Sequence, residues 1–244
     1  MFGVVVSGAG ARPLTSAIVA GVAGLLAGCS ISGDLLPTSS PVDRSPAMYG
    51  ALADGGIRIP AVPKGQVPAN FQRQVVTTPD RIAEHGAGTI VVDTSRRYLY
   101  LVQDDGKSMR YGIGVGRAGF AWAGEATIKA KRRWPSWYPP KEMQERDPLA
   151  AEWANGMPGG LDNPLGSRAL YLFQGDRDTL YRLHGTNDPR SIGKAISSGC
   201  VRLINQDIMD LYKRVPIGTK VVVLGEPRLD FDAIAGFFSS LLDA

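Results

Sequence analysis

The chain contains the run His184-Gly185-Thr186-Asn187 and the run Ser198-Gly199-Cys200-Val201-Arg202-Leu203, whose cysteine lies sixteen residues after that histidine. A cysteine thiol with an ordinary pKa of about 8.5 is mostly protonated at neutral pH, so a nucleophilic Cys200 needs a neighbouring base. His184 is the candidate, because a histidine at a strand end and a cysteine before a helix bring two short loops together. The spacing predicts a site in which Cys200 is the nucleophile and His184 the proton donor and acceptor.

The residues around this pair suggest the remaining parts of such a site. Small Gly199 lets a carbonyl substrate approach the backbone N–H groups, which would form an oxyanion hole worth about 3 kcal/mol per donor. The imidazole also needs a third group to orient it. The sequence offers the Ser198 hydroxyl or a backbone carbonyl, such as that of Gly185, and leaves this choice open. Arg202 is either a binder of a substrate carboxylate or one half of a structural ion pair.

Outward from these runs, the sequence predicts a mainly β domain of β-sandwich type with one or two short helices. The β-rich runs predict two hairpins and further strands, and a helix is expected from Gln206 to about Val215, with Asn205 as its cap. The predicted strands are Thr89–Asp93, Tyr98–Val102, Met109–Val115, Ala169–Phe173, Leu180–His184 and Gly218–Leu224.

Over residues 88 to 226 the chain resembles the L,D-transpeptidase catalytic domain, the YkuD family of the ErfK, YbiS, YcfS and YnhG type. The resemblance rests on His184, on Ser197-Ser198-Gly199-Cys200-Val201-Arg202, and on loops at 134–140, 156–160 and 163–166. Ser198 departs from the histidine of many members, and Arg202 from the asparagine of some.

The resemblance implies that the thiol attacks the carbonyl of the third residue of a peptidoglycan tetrapeptide stem and expels the terminal D-Ala. An amine on a second stem, or on an outer-membrane protein, would then resolve the thioester to give a 3-3 crosslink or a protein attachment. Substrate contacts are expected from Arg202, Thr186, Asn187, Trp137 and Tyr138, although aromatic residues such as the last two more often serve core or loop packing. No metal or other cofactor is implied.

Two other functions stay open. An L,D-carboxypeptidase or an amidase would hydrolyse the same thioester, and sequence does not separate water from an amine as the acceptor. A non-catalytic wall-binding lipoprotein would keep only the fold.

The N-terminal region has the pattern of an export and anchoring signal. Residues 13 to 28 are uncharged and mostly apolar, follow the single charge of Arg12, and end in Leu26-Ala27-Gly28-Cys29, which resembles a lipobox. We expect a signal peptide over residues 1–28 and a lipid on Cys29, which predicts a periplasmic, membrane-anchored lipoprotein, with the outer membrane favoured. Residues 29–87 are rich in proline and glycine and predict a disordered tether whose later part is free or packed on the domain. Residues 227–244 predict an amphipathic helix.

Composition limits the partners. The 27 Lys and Arg residues nearly balance 23 Asp and Glu residues without forming a basic stripe, which argues against a nucleic-acid partner. Two histidines and two cysteines are too few for an ordinary zinc site once Cys29 carries a lipid.

Overall fold

The structure is a computed structural model that describes residues 48–116, 122–197 and 200–225. The predicted signal peptide, Cys29, the first part of the tether, Ser198, Gly199 and the predicted helix at 227–244 lie outside the described residues. Over the described ranges, no helix is both long enough and apolar enough to cross a membrane.

The described part is mainly β, which confirms the predicted fold class. Its strands are β1 Leu52–Asp54, β2 Ile57–Ile59, β3 Gln74–Thr77, β4 Ile90–Asp93, β5 Tyr98–Val102, β6 Lys107–Gly112, β7 Val115–Gly116, β8 Gly124–Arg133, β9 Arg168–Gln174, β10 Arg177–His184, β11 Ala195–Ser197, β12 Val201–Arg202 and β13 Lys220–Leu224. Its α-helices are α1 Asp80–Ala83, α2 Lys141–Gln144, α3 Pro148–Glu152 and α4 Asn205–Arg214. Short 3-10 turns occupy Ala69–Phe71 and Pro189–Ser191.

Nine strands form one sheet in the order β12-β10-β9-β8-β13-β4-β5-β6-β3, and β1-β2 and β11-β7 form two small sheets. The predicted hairpin of β4 and β5 is antiparallel, with Ile90 opposite Leu101. Side chains from both ends of the large sheet share one core, in which Leu99 of β5 and Leu183 of β10 are both fully buried. The sheet therefore curves around this core, which fits the predicted sandwich type.

The sequence did not indicate strand β8, although it lies in the middle of the sheet between β9 and β13. Its sequence, GEATIKAKRR, carries four basic residues that obscure the alternation of a strand. The Lys131 ammonium donates to the carbonyls of Tyr212 and Val215, at 2.7 and 2.6 Å. Lys131 thus donates hydrogen bonds to backbone carbonyls at the C-terminal end of α4, which lack partners within the helix.

Residues 48–77 pack against the domain. Tyr49 and Val67 share a buried cluster with Ile192 and Ile204, and β3 pairs with β6 in the large sheet. Of the two alternatives that the sequence left open for the later part of the tether, residues 48–77 adopt packing on the domain, because they bury apolar side chains and supply a sheet strand.

Candidate active site

The backbone of His184 is held from two sides. His184 is the last residue of β10, lies opposite Ala169 of β9, and lies opposite Arg202 of the parallel strand β12. Its carbonyl also accepts a hydrogen bond from the Leu203 N–H at 2.8 Å. The imidazole is only 4% exposed. This ring is therefore fixed relative to the strand that follows Cys200.

Burial and the charge of Arg202 lower the pKa of His184 to about 4. Hydrogen bonds with the carbonyls of Gly185 and Leu165 oppose this change in pKa without cancelling it. Nδ1 lies 2.6 Å from the Gly185 carbonyl oxygen. Because a carbonyl only accepts hydrogen bonds, this contact puts the proton of the neutral ring on Nδ1 and makes Nε2 the basic nitrogen. Of the two orienting groups that the sequence left open, the Gly185 carbonyl makes this contact, and Ser198 lies outside the described residues.

Cys200 immediately precedes β12 and is half-buried. The parallel pairing of Leu183 with Val201 and of His184 with Arg202 fixes the register at this point. Cys200 lies one residue before this register. The structure thus places the predicted nucleophile immediately before β12, the strand paired with the one that ends at the predicted base.

Burial raises the pKa of the Cys200 thiol, and the backbone and positive charge of Arg182 and the charge of Arg202 oppose the change. The Sγ atom lies 3.9 Å from the carbonyl oxygen of Leu180, to which it donates. Together with the lowered pKa of His184, this describes a resting pair of neutral thiol and neutral imidazole.

Arg202 supplies positive charge at this site. Its N–H and carbonyl are both bonded to Gly114, at 2.8 and 2.9 Å, which fixes its backbone. Its Nε is buried and has no hydrogen-bond partner among the described residues. Neighbouring Arg182 instead pairs with Asp178 through two contacts of 2.7 and 2.8 Å. The geometry leaves Arg202 with a donor for an incoming anionic group, and its substrate role stays a prediction.

A bulge in β10 shapes the position of the thiol, and the sequence did not indicate it. The register with β9 shifts between Asp178 and Arg182. Within the bulge Leu180 has a positive φ of 63°, and its N–H donates to Asp178 at 2.9 Å. A positive φ is unusual for a leucine, so the surrounding contacts maintain it. The result is a carbonyl of Leu180 that faces Cys200.

Asn205 does not cap α4 as predicted. It is the first residue of the helix, where its side chain makes no capping bond, and its Oδ1 accepts from the Ser167 N–H at 2.8 Å. A Cβ added to Gly166 or Gly185 would lie 2.3 or 2.4 Å from that oxygen. Asn205 therefore holds the segment that includes the Gly185 carbonyl. The sequence predicted Asn205 as the helix cap because Asn is common at that position.

The other predicted substrate residues lie in two places. Thr186 is buried and accepts from the Asp188 N–H at 3.0 Å, whereas exposed Asn187 donates to the Asp162 carbonyl at 2.9 Å. Trp137 is buried in a cluster with Ala150 and Met157, which gives it a packing role. Tyr138 is 70% exposed. Substrate contact by these four residues stays a prediction.

No group of three or more His, Cys, Asp or Glu side chains in the described ranges could hold a metal ion. The fold and site together define a mainly β domain in which a buried histidine ends one strand and a cysteine directly precedes the parallel strand paired with it.

Residues 87–223 match the family model of the YkuD L,D-transpeptidase catalytic domain, and the chain belongs to this family. It is 34% identical over 171 residues to the probable L,D-transpeptidase YbiS of Escherichia coli K12, which covers 68% of this chain and 52% of that protein. It thus spans about half the length of that relative.

Two solved structures are also similar. One is from Brucella melitensis, described as a probable carnitine operon oxidoreductase, with 53% identity, coverage of 65% of this chain and 96% of that one, and a TM-score of 0.45. The other is L,D-transpeptidase 3 from Mycobacterium tuberculosis, with 17% identity, coverage of 56% and 60%, and a TM-score of 0.42.

Proposed function

We propose that the protein is a peptidoglycan L,D-transpeptidase in which Cys200 is the nucleophile and His184 the general base and acid. The observation that carries this proposal is the pairing of β10, which ends at His184, with β12, which begins directly after Cys200, together with the Gly185 carbonyl bonded to Nδ1. The membership of the chain in the L,D-transpeptidase family supports it.

The first half of the reaction acylates the enzyme. Nε2 of His184 takes the thiol proton as Sγ attacks the carbonyl of the third residue of a tetrapeptide stem. The resulting intermediate collapses as its C–N bond breaks, and the imidazolium gives its proton to the departing amine of D-Ala. Arg202, whose Nε has no hydrogen-bond partner among the described residues, would meet a carboxylate of the donor stem.

The second half transfers the acyl group. An amine of a second stem attacks the thioester, the new amide forms, and the C–S bond breaks to return the thiol. A protein amine would give a protein attachment by the same step, and water would give hydrolysis. The lipid anchor at Cys29 would place this chemistry in the periplasm, at the outer membrane.

Mass spectrometry of tetrapeptide muropeptides incubated with the purified full chain tests the proposal. We expect a crosslinked dimer lighter than two substrates by one alanine, absent with Cys200→Ala and retained with Cys29→Ser. Formation of tripeptide without dimer would show hydrolysis instead of transfer. Unchanged turnover by Cys200→Ala would refute the assignment of Cys200 as the nucleophile. Membrane fractionation of Cys29→Ser tests the anchor, since release from membranes is expected and retention would contradict it.

A further inference from the structure

Next to Gly185, whose carbonyl orients His184, lies a cavity of about 270 Å³, which we call the side cavity. One wall comes from residues 59–63 and Gln66, which precede the family match, and another part of the lining includes Thr186, Asn187 and Pro189. Its floor includes Asn205 and Gln206, and both are buried. Because Thr186 follows Gly185 directly and Asn205 packs on Gly185, the cavity adjoins the segment that orients His184.

Specific contacts hold the N-terminal wall in place. The Gln206 amide donates to the carbonyls of Gly50 and Pro60, at 3.2 and 3.1 Å. The Val62 N–H donates to the Tyr49 carbonyl at 2.9 Å. The side cavity is therefore built into the fold. At its rim Ala61 and Asn187 are exposed, so a ligand can enter from solvent.

The lining favours a neutral ligand. None of the described residues that line the cavity has an ionisable side chain, and three of them are prolines. Placing a carboxylate or an ammonium group against such walls would remove its water without supplying a counter-charge, which is unfavourable. The stem peptide of peptidoglycan is charged, whereas its N-acetylated sugars offer neutral amide and hydroxyl groups and apolar ring faces.

The lining also offers hydrogen-bond donors. The Oδ1 atom of Asn205 is committed to the Ser167 N–H, and its Nδ2 makes no hydrogen bond to any described residue. The side-chain amide of Gln66 has no such bond within the described ranges either. A donor without a protein partner can bond a ligand that supplies an acceptor, such as an acetamido carbonyl. The volume is near the lower end for small-ligand sites, about 300–1,000 Å³, which suits a single sugar ring.

We propose that the side cavity binds an N-acetylated sugar of the glycan strand that carries the donor stem. This inference rests on the proposed function for the identity of its ligand. It makes residues 59–63 and Gln66 part of substrate recognition, and it gives Asn205 contacts on two sides, one with Gly185 and one with the sugar.

A kinetic comparison of two donors tests the proposal. The wild-type full chain should use a disaccharide-tetrapeptide with a kcat/KM about tenfold above that for the free tetrapeptide, as expected for one or two added hydrogen bonds. Ala61→Trp, which places an indole at the rim, should abolish this preference while changing kcat/KM for the free tetrapeptide less than about twofold. Lys64→Trp is the matched control, because Lys64 is exposed on the same segment but does not line the cavity. Equal losses on both donors, or no preference in the wild type, would overturn the proposal.

A binding measurement separates failure of this proposal from failure of the proposed function. With the full chain carrying Cys200→Ala, N,N′-diacetylchitobiose should shift the side-chain amide NMR signals of Asn205 and Gln66, and cellobiose, which lacks the acetamido group, should not. Ala61→Trp in the same background should remove the shifts. These results do not depend on turnover. Absence of shifts at millimolar sugar, or equal shifts with cellobiose, would refute sugar recognition even in an active transpeptidase.

Discussion

Replacing Asp54 by Asn tests whether residues 48–77 are an integral part of the domain. The Asp54 carboxylate accepts two hydrogen bonds from Arg168, at 2.7 and 2.9 Å, and one from the Trp134 indole at 2.8 Å. The side chains of Asp54 and Arg168 are 9% and 6% exposed. Hydrogen bonding by Arg168 lowers the pKa of Asp54 to about 2, so the pair is ionised at neutral pH.

Removing one partner of a buried ion pair typically costs about 3–5 kcal/mol, because the other charge stays buried without its counter-charge. Arg168 keeps one bond, to the Ser167 carbonyl at 2.7 Å, so we expect Asp54→Asn to cost about 3 kcal/mol, the lower end of that range. For a domain of this size each kcal/mol lowers Tm by about 2–4 °C, which predicts a fall of about 6–12 °C.

Urea denaturation followed by tryptophan fluorescence measures the loss in the free energy of unfolding. An unchanged dependence of that free energy on urea concentration would show that unfolding exposes the same surface in the variant. Asp176→Asn is the control, because Asp176 pairs with Lys129 on the surface and should change nothing measurable. A loss below about 1 kcal/mol for Asp54→Asn would refute the conclusion that the N-terminal segment is fastened to the domain through Arg168.

Three further predictions concern the site and the helix beside it. Gly185→Ala would place a methyl group 2.4 Å from Asn205 Oδ1, so kcat should fall at least about tenfold. Gly160→Ala is the control and should not change kcat, because there is open space around Gly160. Because burial raises the pKa of Cys200, its alkylation by iodoacetamide should be slow at neutral pH and still rise above about pH 9, and a plateau below pH 7 would contradict the neutral pair. Burial raises the pKa of Asp207 from 3.8 to about 7, so the folded state binds this proton more tightly than the unfolded state does. The stability that this proton contributes is present below about pH 4 and is lost as pH rises to 7. In urea denaturation at several pH values, Asp207→Asn should reduce this fall in the free energy of unfolding between pH 4 and 7. An unchanged fall in the variant would assign the pH dependence to other groups.

The sequence predicted those elements whose local pattern agrees with their final environment. The hairpin of β4 and β5 has continuous apolar runs on both sides of a short polar turn, and its strands are buried as that pattern indicates. His184 and Cys200 were found because their residue types and spacing carry chemical meaning without knowledge of the fold.

The rest depends on contacts between residues far apart in sequence. Strand β8 was missed because the partners of Lys131 are carbonyls 81 and 84 residues away. Asn205 was read as a cap because a helix start satisfies that pattern locally, whereas its partner Ser167 lies 38 residues earlier. The packing of residues 48–77 depends on Asp54 meeting Arg168, which no local pattern predicts.

These long-range contacts give the N-terminal segment a connection to the catalytic pair. Arg168, held by Asp54, also accepts the Gly185 N–H through its backbone carbonyl at 3.0 Å. The same glycine packs on Asn205 and uses its own carbonyl to orient His184. In the proposed mechanism a neutral imidazole presents Nε2 to a protonated thiol, so small displacements of this carbonyl would alter the geometry of proton transfer in acylation. Loosening the segment at Asp54 should therefore lower kcat as well as stability, and a variant with wild-type kcat at a reduced Tm would show that the two are independent.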